Sequence, residues 1–300
     1  MKITVFTPTY NRAYIIETLY RSLQRQTFTD FEWLVVDDGS SDGTEELFVK
    51  WSKEEAHFPI RYYKQPNGGK CRAINRGLDL AEGELFFTVD SDDYLTDDAL
   101  EKVSNWFEQL NPKGKIQGIV ANRGYTPTST ENCLFQEPYL DKSLVEIYTF
   151  EQNGHRVFDG ERAFIFYTDF HRHYKYPEFP GENFMTEAVV WNRMANDGYK
   201  MRFYNDIIWV YEYKADGLTK AGSSVFLNNP KGYGLVLREK AEFLHWSRRE
   251  VWKMRYTFTC DLSARYSSGQ IAQFIGAPRG PILIINFFHK LIRFFRKRST

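Results

Sequence analysis

Cysteine is scarce in this chain of 300 residues: Cys71, Cys133 and Cys260 are odd in number and widely spaced. That pattern excludes a disulfide framework and fits a reducing compartment. No apolar run reaches the ~20 residues that a membrane-spanning helix needs. Neither an internal repeat nor a low-complexity linker divides the chain. No basic-then-apolar leader precedes the first strand-like segment, so a cytoplasmic location is expected. Acidic residues are missing from the C-terminal end: from Leu262 onward there are seven Lys or Arg and no Asp or Glu. The zero net charge therefore hides an acidic body, with 39 acidic against 32 basic residues over 1–261.

What is present is most specific at Val89-Asp90-Ser91-Asp92-Asp93, which follows the apolar run 84–89. In extended backbone Asp90 and Asp92 point to the same side. Two carboxylates so placed repel each other unless a cation sits between them. Such oxygen ligands suit Mg²⁺ or Mn²⁺, which keep several waters and accept one or two carboxylates plus substrate phosphates. The competing reading is a solvated turn with a following helix capped by Asp97 or Asp98.

The segments before this run set its context. Residues 2–8 read as a strand, and Ile15, Leu19 and Leu23, four apart, predict a helix over 14–24. A second strand over 32–37 ends in Asp38-Gly39-Ser40, a helix follows over 44–53, and a third strand over 60–64. After Asn67-Gly68-Gly69 a helix over 70–81 feeds the strand that carries the Asp run. This β-α-β-α-β-α-β order predicts an α/β protein with a mostly parallel sheet and helices on its faces. Ligands collect at the carboxyl ends of such strands. Pro8 to Tyr10, Asp37-Asp38 and Asp90 to Asp93 all sit at those ends.

Four blocks stand in one order: Thr7-Pro-Thr-Tyr-Asn11, Gln26-Thr-Phe28, Val36-Asp-Asp-Gly-Ser40 with Asp42-Gly43-Thr44, and Val89-Asp-Ser-Asp-Asp93. Together they resemble the signature blocks of family 2 glycosyltransferases, strongly over residues 1–110 and more weakly over 155–220. The resemblance implies the GT-A fold, inversion at the anomeric centre, a nucleotide-sugar donor and a divalent metal, Mn²⁺ or Mg²⁺. By position, it implies that Pro8 and Tyr10 frame the nucleobase and that Asp38 accepts a hydrogen bond from the uracil imide N–H. A carboxylate only accepts, so it suits a base edge that carries a donor. That favours a UDP-sugar, although family members also use GDP and dTDP sugars. Asp90 would face the ribose or sugar and share the metal with Asp92, which bridges it to the diphosphate. Asp93 would orient a ligand or cap the next turn. Lys70 and Arg72 would meet phosphate or sugar at a helix start, a solvated helix end being the alternative.

An inverting transfer needs a general base for the acceptor hydroxyl. Segment 181–193 resembles the family's stretch in which an acid precedes a helix with a tryptophan four residues later. That selects Glu187, with Glu182 as runner-up. The family often has Asp or a Glu-Asp pair where this chain has Thr186-Glu187, and a polar surface-helix position is the alternative for Glu187. Lys214 stands near where many relatives place a histidine, so either it serves the phosphates or a third ligand is missing. His171 and His173 read as surface histidines, their spacing compatible with acceptor contacts; nothing nearby supports zinc. Aromatics, at 17%, suffice to stack sugars as well as to fill a core, and Trp191 and Trp209 are expected near an acceptor.

The expected organisation is a catalytic domain over 1–225, with a nucleotide-sugar half (1–110) and an acceptor half (111–225). A helical extension (226–280) and a basic amphipathic helix (281–300) follow. Over 281–298 the polar residues Asn286, His289/Lys290, Arg293 and Arg296/Lys297 form one narrow stripe on an otherwise apolar helix. That predicts an in-plane helix drawn to an anionic membrane surface, peripheral on its cytoplasmic face. Docking on the protein itself or on a second subunit is the alternative. The expected activity is hexosyl or N-acetylhexosaminyl transfer to a glycan or lipid-linked acceptor. Two other readings compete. A nucleotidyltransferase on a related fold would carry a glycine-rich loop followed by Thr-Arg after the first strand, which is absent. A non-catalytic binding module would not need Asp38, Asp90, Asp92 and a base together. Basic residues that cluster beside apolar ones, and track no groove, argue against nucleic acid.

Overall fold

The computed structural model describes residues 1–54, 56–146, 150–152, 155–156, 161–211 and 222–298. Strands β1 (Ile3–Thr9), β2 (Phe31–Asp37), β3 (Ile60–Lys64) and β4 (Leu85–Thr88) alternate with helices α1 (Glu17–Gln24), α2 (Thr44–Trp51) and α3 (Lys70–Leu80). Next come β5 (Tyr94–Leu95), α4 (Ala99–Glu108), β6 (Ile116–Gly124), β7 (Leu140–Lys142), β8 (Glu151–Gln152) and β9 (His155–Arg156). They are followed by β10 (Arg162–Tyr167), α5 (Thr168–Arg172), α6 (Ala188–Asn196) and β11 (Lys200–Val210). The C-terminal helices are α7 (Ser223–Asn228), α8 (Pro230–Phe243), α9 (Arg248–Leu262), α10 (Ser268–Phe274) and α11 (Arg279–Arg298).

Among the described residues, nine strands form one sheet in the order β3-β2-β1-β4-β10-β6-β11-β5, with β7 beside β11. β1 pairs in parallel with β2 and β4, and β2 with β3. β10 then enters antiparallel between β4 and β6. The predicted parallel order thus holds for the first four strands and gives way to a mixed sheet beyond them. β1 and β2 are buried at every position, as strands covered on both faces are. On one face Tyr20 of α1 stacks on Trp51 of α2 at 4.4 Å, and both rings pack against Trp33 of β2. α1 starts at Glu17 because a tight turn precedes it, in which the Arg12 carbonyl takes the N–H groups of Ile15 and Ile16. α3 lies close on β1 at Gly77, where a Cβ would come within 2.2 Å of the Phe6 ring.

The chain divides into two compact units. One comprises Met1–Tyr176 and Arg193–Lys214 and holds the sheet; the other comprises Pro177–Asn192 and Ala215–Thr300. The segment with Glu182 and Glu187 therefore groups with the C-terminal helices. In that second unit the helical extension expected over 226–280 is divided, with a break between α8 and α9. His245 takes a φ of 50°, and Ser247 opens α9 through a capping box with Glu250. Ser267 and Gln270 open α10 in the same way. Both are the Ser-x-x-Glu/Gln pattern, which satisfies helix donors at both ends of the box. Phe258, Leu262, Ile271, Ile275, Ile282 and Ile285 form this unit's own small core.

Candidate active site

Three loops meet where β1, β2 and β4 end. Pro8 is buried in β1, and Tyr10, the first residue past the strand, is 49% exposed. Asn11, at φ 52°, donates its N–H to Ser40 Oγ and accepts the Ser41 N–H on Oδ1, both at 2.8 Å. Asp42 accepts the Ala13 N–H at 3.0 Å and the Thr44 hydroxyl at 2.5 Å. Burial works to raise the Asp42 acid, but these bonds outweigh it and hold the group below the usual carboxylate range. Asp37 accepts the Ser40 N–H at 2.7 Å and the Tyr62 hydroxyl. The polar residues of the two N-terminal blocks thus lock loop to loop, and that fixes where Tyr10 and Asp38 stand.

Asp38 is 4% exposed, and its N–H donates to the Thr9 carbonyl at 2.8 Å. Its carboxylate accepts from Gln65 Nε2 at 2.8 Å, from the Gly68 N–H at 3.0 and 3.1 Å, and from the Gly69 N–H at 2.7 Å. Asp38 therefore also fastens the 65–69 loop to the end of β2. A carboxylate offers about four acceptor sites, and these three donors make four contacts, two on each oxygen, so a ligand donor there would share or displace one of them. Gly39, at φ 86°, lets the loops approach: a Cβ there would sit 3.0 Å from the Asn67 nitrogen.

The Asp run does not continue β4. It forms a turn in which the Asp93 N–H donates to the Asp90 carbonyl at 3.3 Å, so strand alternation does not set the directions of Asp90 and Asp92. Cations do. Lys70 Nζ lies 2.9 Å from Asp90 Oδ1, and Arg123 Nη1 lies 3.8 Å from Oδ2. Burial works to raise the Asp90 acid, but Lys70 and then Arg123 prevail and hold it below the ordinary range. Asp92 meets Arg12 at 3.7 Å, and the two carboxylates are 26% and 20% exposed. Asp93 is buried, bound by Arg123 Nη2 at 2.5 Å and by Trp209 Nε1 at 2.8 Å. Burial, with Asp90 and Asp92 nearby, pushes its acid up to about 7 against the pull of Arg123.

Arg123 is the site residue that the sequence reading missed. It stands in β6, meets Glu161 at 3.3 Å, and lies over the rings of Trp209 and Tyr211 at 4.1 and 4.9 Å. One signal could have found it: Asn122-Arg123 closes an apolar strand, the feature that marked the Asp residues. Trp209 is buried and serves the Asp turn. Arg72 turns back to donate to the Gly68 carbonyl at 3.1 Å. Lys214 lies outside the described residues.

In the other unit, both oxygens of buried Glu182 accept from the start of α8: the Lys231 N–H at 2.8 Å and the Gly232 N–H at 2.9 Å. Glu187 is half-buried, and its carbonyl accepts the Val190 N–H at 3.1 Å at the start of α6. His171 is a core residue, 2% exposed against Phe86 and Phe166, a correction to the surface reading. It reads as core because α5 lays it beneath the sheet, which no local pattern reveals.

Asp90 and Asp92 offer what Mg²⁺ or Mn²⁺ takes beside phosphate oxygens and water, one or two carboxylates. Among the described residues no group of three or more His, Cys, Asp or Glu forms a protein cage, and Asp93 is engaged elsewhere. The residues fit a metal held jointly with a ligand.

Comparison with known proteins bears on this geometry. The family model described as glycosyl transferase family 2 matches residues 4–157. The chain belongs to glycosyl transferase family 2. Among its relatives, a GalNAc(5)-diNAcBac-PP-undecaprenol beta-1,3-glucosyltransferase of Campylobacter jejuni is 41% identical over 103 residues, 33% of this chain and 32% of the relative. The poly(ribitol-phosphate) beta-N-acetylglucosaminyltransferase TarS of Staphylococcus aureus is 35% identical over 154 residues, 50% of this chain and 26% of TarS. The chain thus matches only about a third or less of these relatives' lengths. In three dimensions, TarS residues 1–349 in complex with UDP-GlcNAc superpose with a TM-score of 0.60 at 18% identity, over 98% of this chain and 92% of that one. A mannosyltransferase from Pyrobaculum calidifontis, in complex with GDP-Man and Mn²⁺, gives 0.54 at 17%, over 97% and 87%. The fold is GT-A.

Proposed function

We propose that the chain is an inverting glycosyltransferase that moves a hexosyl or N-acetylhexosaminyl group from a UDP-sugar to a hydroxyl of a glycan or lipid-linked acceptor. One observation carries this reading: Tyr10, Asp38, Lys70, Asp90 and Asp92 come together at the ends of β1, β2 and β4, with Arg12 and Arg123 among the carboxylates. Tyr10 and Pro8 frame the nucleobase, and Asp38 takes the uracil imide N–H in place of one of its loop donors. Lys70 moves between Asp90 and the donor phosphates. Asp90 and Asp92 would hold Mn²⁺ or Mg²⁺ with the diphosphate, where the ion would neutralise charge on the leaving nucleotide. The UDP-GlcNAc complex of TarS supports the choice of UDP.

Glu187 takes the proton of the acceptor hydroxyl. The assignment follows the resemblance of segment 181–193, and the two backbone bonds that occupy Glu182 favour it over the runner-up. Residues 281–298 meet an anionic membrane surface, peripheral on its inner face, which would bring a lipid-linked acceptor within reach. A family of transferases with these carboxylates intact leaves the non-catalytic module and the nucleotidyltransferase as weaker readings.

The test is UDP release from UDP-glucose and UDP-N-acetylglucosamine by wild type, Glu187→Gln and Glu182→Gln. Glu187→Gln should keep UDP affinity and lose turnover by about 10² or more. If Glu182→Gln alone does so, with its fold intact, the base is Glu182.

A further inference from the structure

Over its described side chains, helix α11 is anchored on one side. Ile282, Ile285 and Asn286 are buried within their unit, and Asn286 Nδ2 donates to Ser268 Oγ at 2.7 Å. His289, one turn further, is close enough to Asp261 to pull its acid down against a burial effect that raises it. The polar stripe read from the sequence therefore begins turned toward the protein. The other side carries Leu283, Ile284, Phe287, Phe288 and Leu291, which are 39% to 63% exposed. At 3.6 residues per turn these five share an arc of about 140°. By the same spacing Phe294 and Phe295 continue that arc in the sequence, Lys290, Arg293, Arg296 and Lys297 fall outside it, and Arg298, the last residue of the helix, falls within it.

So long an apolar strip, left bare on a folded unit, marks an interaction surface. We infer that it is the membrane-inserting face: α11 lies in the plane of an anionic bilayer, with Leu283, Ile284, Phe287, Phe288 and Leu291 below the headgroups. This rests on the membrane reading above and replaces its either-or, because the helix docks on its own unit by one side and on lipid by the other. Charge selects the occupant. The strip belongs to a segment with seven basic residues and no acid, attached to a body with an excess of acids, so this end is the one an anionic surface attracts. A second copy of the chain is disfavoured, since a two-fold pairing would set two purely basic helices side by side. No helix among the described residues is long and apolar enough to cross a membrane, which agrees with an in-plane position.

The test is sedimentation of the full chain with phosphatidylcholine vesicles, with and without phosphatidylglycerol, alongside UDP titration of the same samples. Wild type should sediment with the anionic vesicles, and Phe287→Ser/Phe288→Ser should partition less by about tenfold or more at equal thermal midpoint and UDP affinity. Wild type that binds UDP but no vesicle overturns the membrane reading as a whole and leaves the transferase reading standing. Vesicle binding that salt abolishes but Phe287→Ser/Phe288→Ser leaves unchanged overturns the insertion of this strip. A dimer that the double substitution dissociates, without vesicle binding, assigns the strip to a second copy.

Discussion

At the end of the sheet where β2 begins, the buried carboxylate of Glu32 is bound by three protein donors. It accepts the Thr4 hydroxyl at 2.6 Å, the Glu82 N–H at 2.8 Å and Arg61 at 2.7 Å. Close to the start of β4, Thr168 donates to the Gly83 carbonyl at 2.6 Å, and Arg172 donates to the Leu78 and Ala81 carbonyls at 2.8 and 2.6 Å, closing the end of α3. At the opposite end Asp38 and Asp93 are bound as closely and Lys70 holds Asp90 at 2.9 Å, but two other pairs are looser. Asp92 and Arg12 stand 3.7 Å apart, Asp90 and Arg123 3.8 Å apart, and two site carboxylates stay a fifth or more exposed. A carboxylate whose neighbours are all protein groups stabilises the fold. One whose cations stand beyond hydrogen-bond range, and open to water, can exchange them for a ligand. The difference separates a structural end of the sheet from the proposed donor site, and substitutions at the two ends should divide accordingly.

The largest effect on stability is expected at the closed end. Glu32→Ala strands the Thr4 hydroxyl and the Glu82 N–H while Arg61 keeps Glu82 at 3.0 Å, and it should cost about 3 kcal/mol in urea unfolding, with UDP affinity of the folded fraction unchanged. Loss of UDP binding ahead of unfolding would break the comparison. Arg123 touches both: it bonds buried Asp93, and it approaches Asp90 in the proposed donor site. Arg123→Gln should cost about 1–3 kcal/mol and weaken UDP binding as well. Wild-type affinity in a destabilised variant would make Arg123 structural alone.

A smaller effect depends on pH. Burial pushes His171 down to about 3, from an ordinary 6.5. The unfolded chain then takes up a proton below about pH 6.5 that the folded chain refuses, so this contribution is complete above that pH and is lost toward pH 3. The slope is at most ~1.4 kcal/mol per pH unit. His171→Phe should flatten it in thermal melts from pH 4 to pH 7, and an unchanged slope would return the histidine to the surface.

The first half of the sheet was legible because β1 to β4 and their helices are made from contiguous segments whose periodicity changes between two and 3.6. The site blocks were legible for a related reason, as polar residues stop apolar strands at their carboxyl ends. What escaped the sequence is non-local. β10 enters between strands far from it in the chain, and Arg123 meets the Asp turn across 30 or more residues. Glu182 binds the start of α8 across 49 and 50 residues. The break at 244–247 was readable in Ser247-Arg-Arg-Glu250 and was hidden by the apolar periodicity on either side. The inward turn of Asn286 follows from Ser268, a partner that helical periodicity within α11 does not contain.

The central claim is that the open end of the sheet holds a metal and a nucleotide together. Calorimetric titration of wild type and Asp92→Asn with UDP, in Mn²⁺ and in chelator, tests it most directly. Wild type should bind UDP tightly only with Mn²⁺, and Asp92→Asn should lose that dependence while its unfolding free energy stays within about 0.5 kcal/mol. UDP affinity that neither chelator nor Asp92→Asn alters would contradict it.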